Sequence, residues 1–427
     1  MRTWWPLAAS WLLMGVEQPV LSAVVARLPD ARIHLAAYGG IVWPIALIIE
    51  SPIIMLISAS TALSKDWPSY RKIWNYMMIA GGSLTALHAL VAFTPLYYAV
   101  VRGLLGVPEE IIEPARIGLQ IMLPWTWTIA YRRFNQGVMI RFGHSRSVGA
   151  GTVVRLIAGM SVLFAGLVLG TLPGIVVATL AVAVGVSSEA LFAGRVVRPL
   201  LRNELAAAPP VVPPLTYRAF FQFYIPLVLT SLLSLLAQPI GSAALSRMPD
   251  ALSSLAVWPV VTGLIFMARS LGLALNEVVV ALLDEPGARP VLRRFTIGLT
   301  VIAFGVLVLL AATPLSQWWF EGVSALPADL SSLASTALWF GIPVPALIAL
   351  QSWYQGQLLH SRHTRAISDS VVIFLLATAA ILIAGVALGN TTGLFVGMVA
   401  MLVSTIAQTV WLGIQAHRHV PAQGAAC

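Results

Sequence analysis

The chain has 427 residues, of which 59% are hydrophobic and only 10% are charged, and its formal net charge is +9. A soluble domain needs about a quarter charged residues to stay solvated, so this composition excludes one. The basic residues are scattered between apolar segments, which favours the loops of a membrane protein over a nucleic-acid-binding surface. The one cysteine, Cys427, excludes an internal disulfide framework and a thiolate metal site.

Apolar segments of about 20 residues, the length of a membrane-spanning helix, recur along the whole chain. In chain order the predicted spans are residues 4–26, 36–63, 75–98, 115–140, 147–170, 174–194, 217–245, 252–283, 295–313, 333–359, 367–388 and 392–416. We therefore predict an all-α polytopic membrane protein of about twelve transmembrane helices. Lys and Arg gather at the helix ends on the side of both termini, which predicts cytoplasmic termini in a bacterial inner membrane.

The sequence repeats itself at an offset of about 220 residues, close to half of its length. Residues 18–31 match residues 238–251, since both begin with Gln-Pro and end with Pro-Asp-Ala. Further landmarks recur at the same offset: Gln136-Gly137 with Gln355-Gly356, and Gly166, Gly170 and Gly174 with Gly385, Gly389 and Gly393. This agreement predicts a duplicated bundle.

We predict two six-helix bundles, residues 1–205 and 217–427, joined by a cytoplasmic linker at residues 206–216. The linker contains four prolines in the stretch 209–214 and cannot continue a helix. Because each bundle has an even number of spans, the two repeats should be parallel.

Several predicted spans contain charged residues: Arg132, Arg133, Arg155, Arg269, Glu17, Glu50, Glu277 and Asp369. A charge at the bilayer centre costs roughly 2.5–3.5 kcal/mol on insertion scales, so such residues face a polar cavity or one another. Guanidinium groups match carboxylate and phosphate, which makes the four arginines candidates for binding an anionic substrate. The candidates for proton or sodium coupling are Glu17, Glu50 and Glu277.

Structural alternatives remain open for all of these charges. Arg132, Arg133 and Asp369 lie toward the cytoplasmic ends of their spans, where they would snorkel or cap a helix. The deeper residues would form buried pairs that serve packing alone. Glu50 and Arg269 occupy equivalent positions and would pair across a central cleft, whereas Arg269 has Glu277 two turns away as its alternative partner.

Proline-containing positions recur in both halves and predict helix bends or inter-lobe contacts. These positions are Gln18, Pro19, Gln238, Pro239, Pro124 and Pro343. Glu17 directly precedes Gln18-Pro19, where proline frees a backbone carbonyl, and this combination predicts a proton or sodium site.

Enzyme and ATPase signatures such as HExxH, GxxxxGK and GxSxG are absent from the sequence. We therefore predict a protein that is not an enzyme, that uses no cofactor beyond coupling to H⁺ or Na⁺, and that ATP does not drive. Duplicated helical bundles that contain buried charges and lack an ATP-hydrolysing motif are typical of secondary transporters. The expected partners of this monomer are a small-molecule substrate and membrane lipid, without nucleic acid.

Two sequence resemblances refine this prediction. Residues 104–110, Leu-Leu-Gly-Val-Pro-Glu-Glu, lead into a span that ends in Gln136-Gly137 and a basic turn. This region resembles the third and fourth helices of multidrug and toxic compound extrusion (MATE) transporters and their flippase relatives in the multidrug/oligosaccharidyl-lipid/polysaccharide superfamily. A closer resemblance, to the progressive ankylosis (ANKH) family, rests on Glu17-Gln18, Asp30-Ala31, Leu35-Ala36, Tyr38-Gly39, Pro239-Ile240, Ser246-Arg247 and Pro343-Val344-Pro345.

The resemblance implies a MATE-like fold and export of small anions, with citrate, nucleotide triphosphate and pyrophosphate as the substrates associated with the family. The chain departs from the family pattern in lacking a long acidic tail and in carrying Arg132-Arg133. The resulting hypothesis is an alternating-access exporter of a small polyvalent anion. The alternatives are a MATE-type cation antiporter with an acidic cavity, a flippase of lipid-linked precursors with a cavity open to lipid, and a membrane scaffold whose buried charges are all paired.

Overall fold

The computed structural model describes residues 4–419, and within that range all regular secondary structure is helical. The helices of the first half are α1 (Trp4–Val25), α2 (Ala31–Ala37), α3 (Trp43–Ile54), α4 (Leu56–Leu63), α5 (Trp67–Phe93), α6 (Leu96–Tyr98), α7 (Ile112–Ile121), α8 (Leu123–Arg141), α9 (Ser145–Leu169) and α10 (Gly174–Leu200). Those of the second half are α11 (Tyr217–Leu245), α12 (Ala251–Leu273), α13 (Leu275–Leu282), α14 (Ala288–Ala312), α15 (Leu315–Gln317), α16 (Ala328–Gly341), α17 (Pro343–His360), α18 (Thr364–Leu388) and α19 (Gly393–His419). Short π-helical turns extend some of them, at Tyr38–Val42, Ala99–Leu105, Leu201–Leu205 and Trp318–Val323.

Ten helices or continuous helical segments among the described residues are long and apolar enough to cross a membrane. The two other predicted spans correspond to α1 and to the broken pair α7–α8. Helix α8 is less apolar than the rest because it carries Arg132, Arg133, Asn135 and Gln136. The all-α polytopic fold class is thereby confirmed, and the protein is a multi-pass membrane protein.

The backbone repeats its turn geometry in the two halves. Left-handed residues recur in equivalent pairs: Asp30 (φ 52°) with Asp250 (57°), Gly106 (65°) with Ala325 (53°), Gly143 (81°) with Arg362 (63°), and Gly170 (63°) with Gly389 (61°). Positive φ is uncommon outside glycine. Its recurrence at Ala325 and Arg362, where the first half has glycine, shows that the turn geometry is shared even where the residue is not.

Contacts divide the chain into two compact units that differ from the sequence halves. The N-terminal unit is Arg27–Ala243, and the C-terminal unit combines Met1–Ala26 with Ala244–Cys427. Helix α1 belongs to the C-terminal unit because it packs on α12, where a Cβ added to Gly15 would lie 3.1 Å from the Cα of Met267. Helix α11 belongs to the N-terminal unit, where the Tyr224 hydroxyl donates to the carbonyl of Pro52 at 2.5 Å.

The proline-rich linker is fastened to the start of α5 within the N-terminal unit. Asp66 is buried and caps this helix, since its Oδ1 accepts from the backbone N–H of Ser69 at 2.9 Å. Its Oδ2 accepts from the backbone N–H of Val211 in the linker at 2.8 Å. Lys72 adds a second contact by donating to the carbonyl of Leu215.

Replacing Asp66 with alanine should lower the free energy of unfolding by about 1–2 kcal/mol, because the helix cap and the linker contact are both lost.

Burial raises the pKa of the Asp66 carboxyl, but hydrogen bonds from Ser69 and Val211 outweigh burial and hold the pKa below its ordinary value. The stability that the carboxylate contributes is therefore present above the unfolded-state pKa and is lost as pH falls through the folded-state pKa. Thermal unfolding of the detergent-purified protein at neutral and acid pH measures both effects. Asp66→Asn is the control, since it keeps an acceptor but cannot titrate; an acid sensitivity equal in all three proteins would contradict the prediction.

Candidate functional site

A buried carboxylate joins three helices of the N-terminal unit. Glu189, on α10, is fully buried. Its Oε2 accepts from Nη1 of Arg132, and its Oε1 accepts from Nε2 of Gln136 at 2.9 Å. Arg132 and Gln136 are one turn apart on α8 and so reach the same partner. Arg155, on α9, brings its Nε to 3.7 Å from Glu189 Oε2, which completes a contact among α8, α9 and α10.

Two glycines allow α9 and α10 to approach closely at this point. Gly151 precedes Arg155 by one turn, and Gly185 precedes Glu189 by one turn. A Cβ added to Gly185 would lie 3.1 Å from the carbonyl oxygen of Arg155, and one added to Gly151 would lie 3.4 Å from Cγ of Glu189. Each helix thus presents a small residue beside the charged side chain of the other, as close helix packing in membranes favours.

Arg133 and Glu50 extend the group of charges. Glu50, on α3, is buried, and its carboxylate lies within electrostatic range of Arg133 and Arg132. Arg133 also interacts with Glu189 and Arg155. We call Arg132, Arg133, Arg155, Glu50 and Glu189 the arginine cluster. With both carboxylates ionised, its three guanidinium groups leave one net positive charge.

The arginine cluster has hydrogen-bonding capacity that the protein does not fill. Within residues 4–419, the buried atoms without a hydrogen-bond partner include Nε of Arg132 and of Arg133, Oε2 of Glu50 and Oε1 of Gln136. Leaving a buried polar group unpaired costs about 1–3 kcal/mol, so such groups call for a functional explanation. In the same range no group of three or more His, Cys, Asp or Glu side chains is placed to hold a metal ion. Unfilled guanidinium donors with excess positive charge are suited to an anion.

At the positions equivalent to Arg132, Arg155 and Glu189, the second half of the chain has uncharged residues. The equivalent pairs are Arg132 and Gln351, Glu189 and Gln408, and Arg155 and Phe374. The ion pair of the first half is thus replaced by two neutral amides. The charges within the spans do not by themselves point to this exchange, but the offset of the repeat identifies it.

The neutral residues of the second half pack without difficulty inside the C-terminal unit. Gln351 is buried and donates to the Thr405 carbonyl at 3.2 Å and to the Thr409 hydroxyl at 3.0 Å. Gln408 donates to the Ser370 hydroxyl at 3.3 Å. The equivalent helices of the second half therefore pack with amides in place of the Arg132–Glu189 ion pair.

The fourth predicted arginine lies in the C-terminal unit. Arg269, on α12, is half-buried, and its guanidinium carbon lies 4.8 Å from the centre of the Phe266 ring. Its Nε has no hydrogen-bond partner among the described residues. The alternative pairing with Glu277 is not formed there, because Glu277 is exposed on the face of α13 opposite Leu275 and Val279, which are buried.

The remaining predicted positions lie on several helices. Glu17 is half-buried on α1, and Asp369 is half-buried near the start of α18. Pro19 and Pro239 lie inside α1 and α11, each directly after its glutamine, Gln18 or Gln238. Pro124 and Pro343 stand in the first turns of α8 and α17, directly after the breaks that separate these helices from α7 and α16.

No protein-family model matches the sequence, and no curated protein matches it. Solved structures match nearly the whole chain. A MATE transporter in the bent conformation has a TM-score of 0.63 at 16% identity, covering 98% of this chain and 94% of that one. This chain has the MATE-like fold. The lipid II flippase MurJ in an inward closed conformation shares the fold, with a TM-score of 0.62 at 13% identity over 94% of this chain and 87% of its own.

A third structure with the MATE-like fold bears on the polarity of the site. It is a transporter of the MOP superfamily from Pyrococcus furiosus, described as having a binding pocket of reverse polarity that suggests a different function. Its TM-score is 0.61 at 15% identity, with 97% of this chain and 96% of that chain covered. The superfamily fold expected from the sequence is thereby confirmed, while membership of the progressive ankylosis family stays a prediction.

Proposed function

We propose that this protein is a secondary active transporter that exports small polyvalent anions by alternating access. The observation that carries the proposal is the arginine cluster. Its three guanidinium groups and two carboxylates are buried or partly buried, with unfilled donors and an excess of positive charge. Burying this many charges is costly. A polyvalent anion would compensate them, whereas a cationic drug would add to the excess.

The fold supports a transport role. Structures with the MATE-like fold include MATE transporters and a flippase, and these move their substrates across membranes. The reverse polarity described for the binding pocket of the Pyrococcus furiosus transporter supports the view that the fold accommodates binding pockets of either polarity. Duplicated bundles of this kind bind substrate near the bilayer midplane.

The finer assignments follow from the sequence. The substrate class is citrate, nucleotide triphosphate or pyrophosphate, by resemblance to the progressive ankylosis family, and Arg269 is a further anion contact. Glu17, Glu50 and Glu277 are the candidates for H⁺ or Na⁺ coupling. The protein would lie in a bacterial inner membrane as a monomer, with both termini in the cytoplasm.

A lipid-linked anion is the second candidate, favoured by the likeness to MurJ, which is a lipid II flippase. Uptake of water-soluble anions into proteoliposomes separates the two, because a flippase would leave such anions outside.

Arginine-to-glutamine variants of the cluster test the proposed function. Arg133→Gln and Arg155→Gln should each slow uptake of labelled citrate, ATP or pyrophosphate by roughly ten- to a hundredfold, because losing one charge-assisted hydrogen bond costs about 1.5–3 kcal/mol. Arg195→Gln is the matched control, since Arg195 is an exposed arginine of α10. A cationic dye serves as the probe of opposite charge. Uptake of the dye but of none of the anions would contradict the proposal.

A further inference from the structure

We infer that Glu189 is an internal ligand of the anion site, and that it takes up a proton when the transported anion replaces it on the arginines. This inference rests on the proposed function. It names a proton-coupling residue outside the set that the sequence suggested.

The geometry around Glu189 is that of a bound anion. Its carboxylate receives a hydrogen bond from Arg132 and one from Gln136, and it lies 3.7 Å from Nε of Arg155. Carboxylate and phosphate substrates are bound by the same kinds of donor. A substrate anion that took these donors would have to displace Glu189 from them.

The second half of the chain packs the equivalent helices without this carboxylate. Gln408 stands at the position equivalent to Glu189, and Gln351 at that of Arg132. Both amides find neutral partners on neighbouring helices. The Arg132–Glu189 ion pair is therefore an addition to the fold, confined to one half.

Displacement of Glu189 would change its electrostatic surroundings. The charged groups that contact it are Arg132 from α8 and Arg155 from α9. Arg133 on α8 also acts on it electrostatically, and Glu50 on α3 interacts in turn with both arginines of α8. While the guanidinium groups hold it, the carboxylate faces positive charge. Once they bind a substrate anion, Glu189 faces that anion instead, and the repulsion between like charges favours its protonation.

Protonation of Glu189 raises the net charge of the arginine cluster from one positive charge to two, which matches a dianion. A proton from the aqueous phase and the substrate anion would then bind together, each strengthening the binding of the other. A dianion carried with one proton crosses the membrane with one net negative charge. An inside-negative membrane potential drives that complex outward, in the direction of export.

Proton uptake on anion binding tests the inference directly. Citrate is titrated into the full-length, detergent-purified protein by calorimetry in two buffers of different ionisation enthalpy. The wild type should take up about one proton per anion more than Glu189→Gln does. Because both proteins bind the same ligand, the protons that citrate itself gains cancel in the comparison. Glu189→Gln should also bind citrate at least tenfold more tightly than the wild type at alkaline pH.

Two further variants make the result decisive. Glu204→Gln, at an exposed carboxylate that pairs with His144, should keep the wild-type proton uptake. Glu189→Asp keeps the charge on a shorter side chain and weakens the internal ligand, so it should bind citrate more tightly than the wild type and still take up the proton.

Three results would overturn the inference: proton uptake that persists in Glu189→Gln, uptake that disappears in Glu50→Gln instead, or weaker citrate binding by Glu189→Asp. If the wild type binds citrate and Arg133→Gln loses that binding, any of these results leaves the proposed function standing. If the wild type binds none of the candidate anions at any pH, the proposed function and the inference both fall.

Discussion

Arg132→Gln is expected to destabilise the protein by roughly 3 kcal/mol, because it removes a guanidinium partner from a fully buried carboxylate. Breaking a buried ion pair from one side costs about 3–5 kcal/mol. The lower end applies here, since Arg155 remains 3.7 Å from Glu189 and Gln136 still donates to it. Thermal unfolding in detergent, followed by loss of the monodisperse protein peak, measures the change.

The double variant Arg132→Gln with Glu189→Gln should recover most of this loss. It introduces the pair of amides that the second half already carries as Gln351 and Gln408, and it leaves the net charge of the arginine cluster unchanged. Residues in direct contact show coupling energies of about 0.5–3 kcal/mol in such cycles. A double variant as unstable as the sum of the two single variants would contradict this prediction, because additive losses mean that the two residues are not coupled.

The same double variant separates stability from function. We expect it to fold and insert normally while its proton-coupled anion transport is lost, since it lacks both the Arg132 donor and the carboxylate of Glu189. A stable protein that still exports anions at the wild-type rate would place the substrate elsewhere. Transport measured beside unfolding in one set of variants therefore distinguishes a binding role of these charges from a packing role.

The helices could be predicted from the sequence because membrane spans depend on length and composition alone. The predicted span at residues 115–140 included Arg132 and Arg133 despite their charge, and the structure places them on α8 (Leu123–Arg141). The boundary of the sixth span was less accurate. The sequence predicts an end at residue 194, whereas α10 continues to Leu200, which places Glu189 well inside the helix.

The composition of the two compact units could not be predicted. Repeats identify which segments are duplicates, but they do not say which segments pack together. Helices α1 and α11 are apolar on most of their surface, and apolar burial is non-directional, so neither pattern selects a partner. The pairing of α1 with α12 depends instead on local shape, such as the absence of a side chain at Gly15.

The site itself could be predicted in part. Burying charge in lipid is so costly that each arginine within a span was a candidate from its position alone. The carboxylate that Arg132 and Arg155 share, Glu189, depends on contacts between helices, which the sequence of a single span does not show. A comparison of the halves would have indicated part of this contact, because Arg132 and Glu189 both change to glutamine at the equivalent positions.

Gly137→Ala is expected to lower the free energy of unfolding by about 1–3 kcal/mol, because it overpacks the contact between α8 and α4. An added Cβ would lie 2.6 Å from Cβ of Ser60 and would meet the carbonyl oxygen of Ile57, which is backbone and cannot rotate away. The close approach also supports two hydrogen bonds: Ser60 donates to the Phe134 carbonyl at 2.8 Å, and Thr61 donates to that of Gly137 at 3.2 Å.

Gly356→Ala should have an effect of the same sign, because the duplication places the same contact in the second half. Its added Cβ would lie 2.6 Å from Cγ1 of Val279 and 3.2 Å from the carbonyl oxygen of Asn276. Gly82→Ala is the matched control, since Gly82 is exposed within α5 and an added Cβ there meets nothing within 4 Å. Alanine is the better helix former by up to about 1 kcal/mol, so this control should be neutral or slightly stabilising. Unfolding temperatures in detergent compare the three variants; a loss of stability in Gly82→Ala as large as in Gly137→Ala would contradict the packing argument.

Because Gln136 adjoins Gly137 and donates to Glu189, the shift of α8 should also weaken anion transport in Gly137→Ala, whereas Gly82→Ala should transport normally.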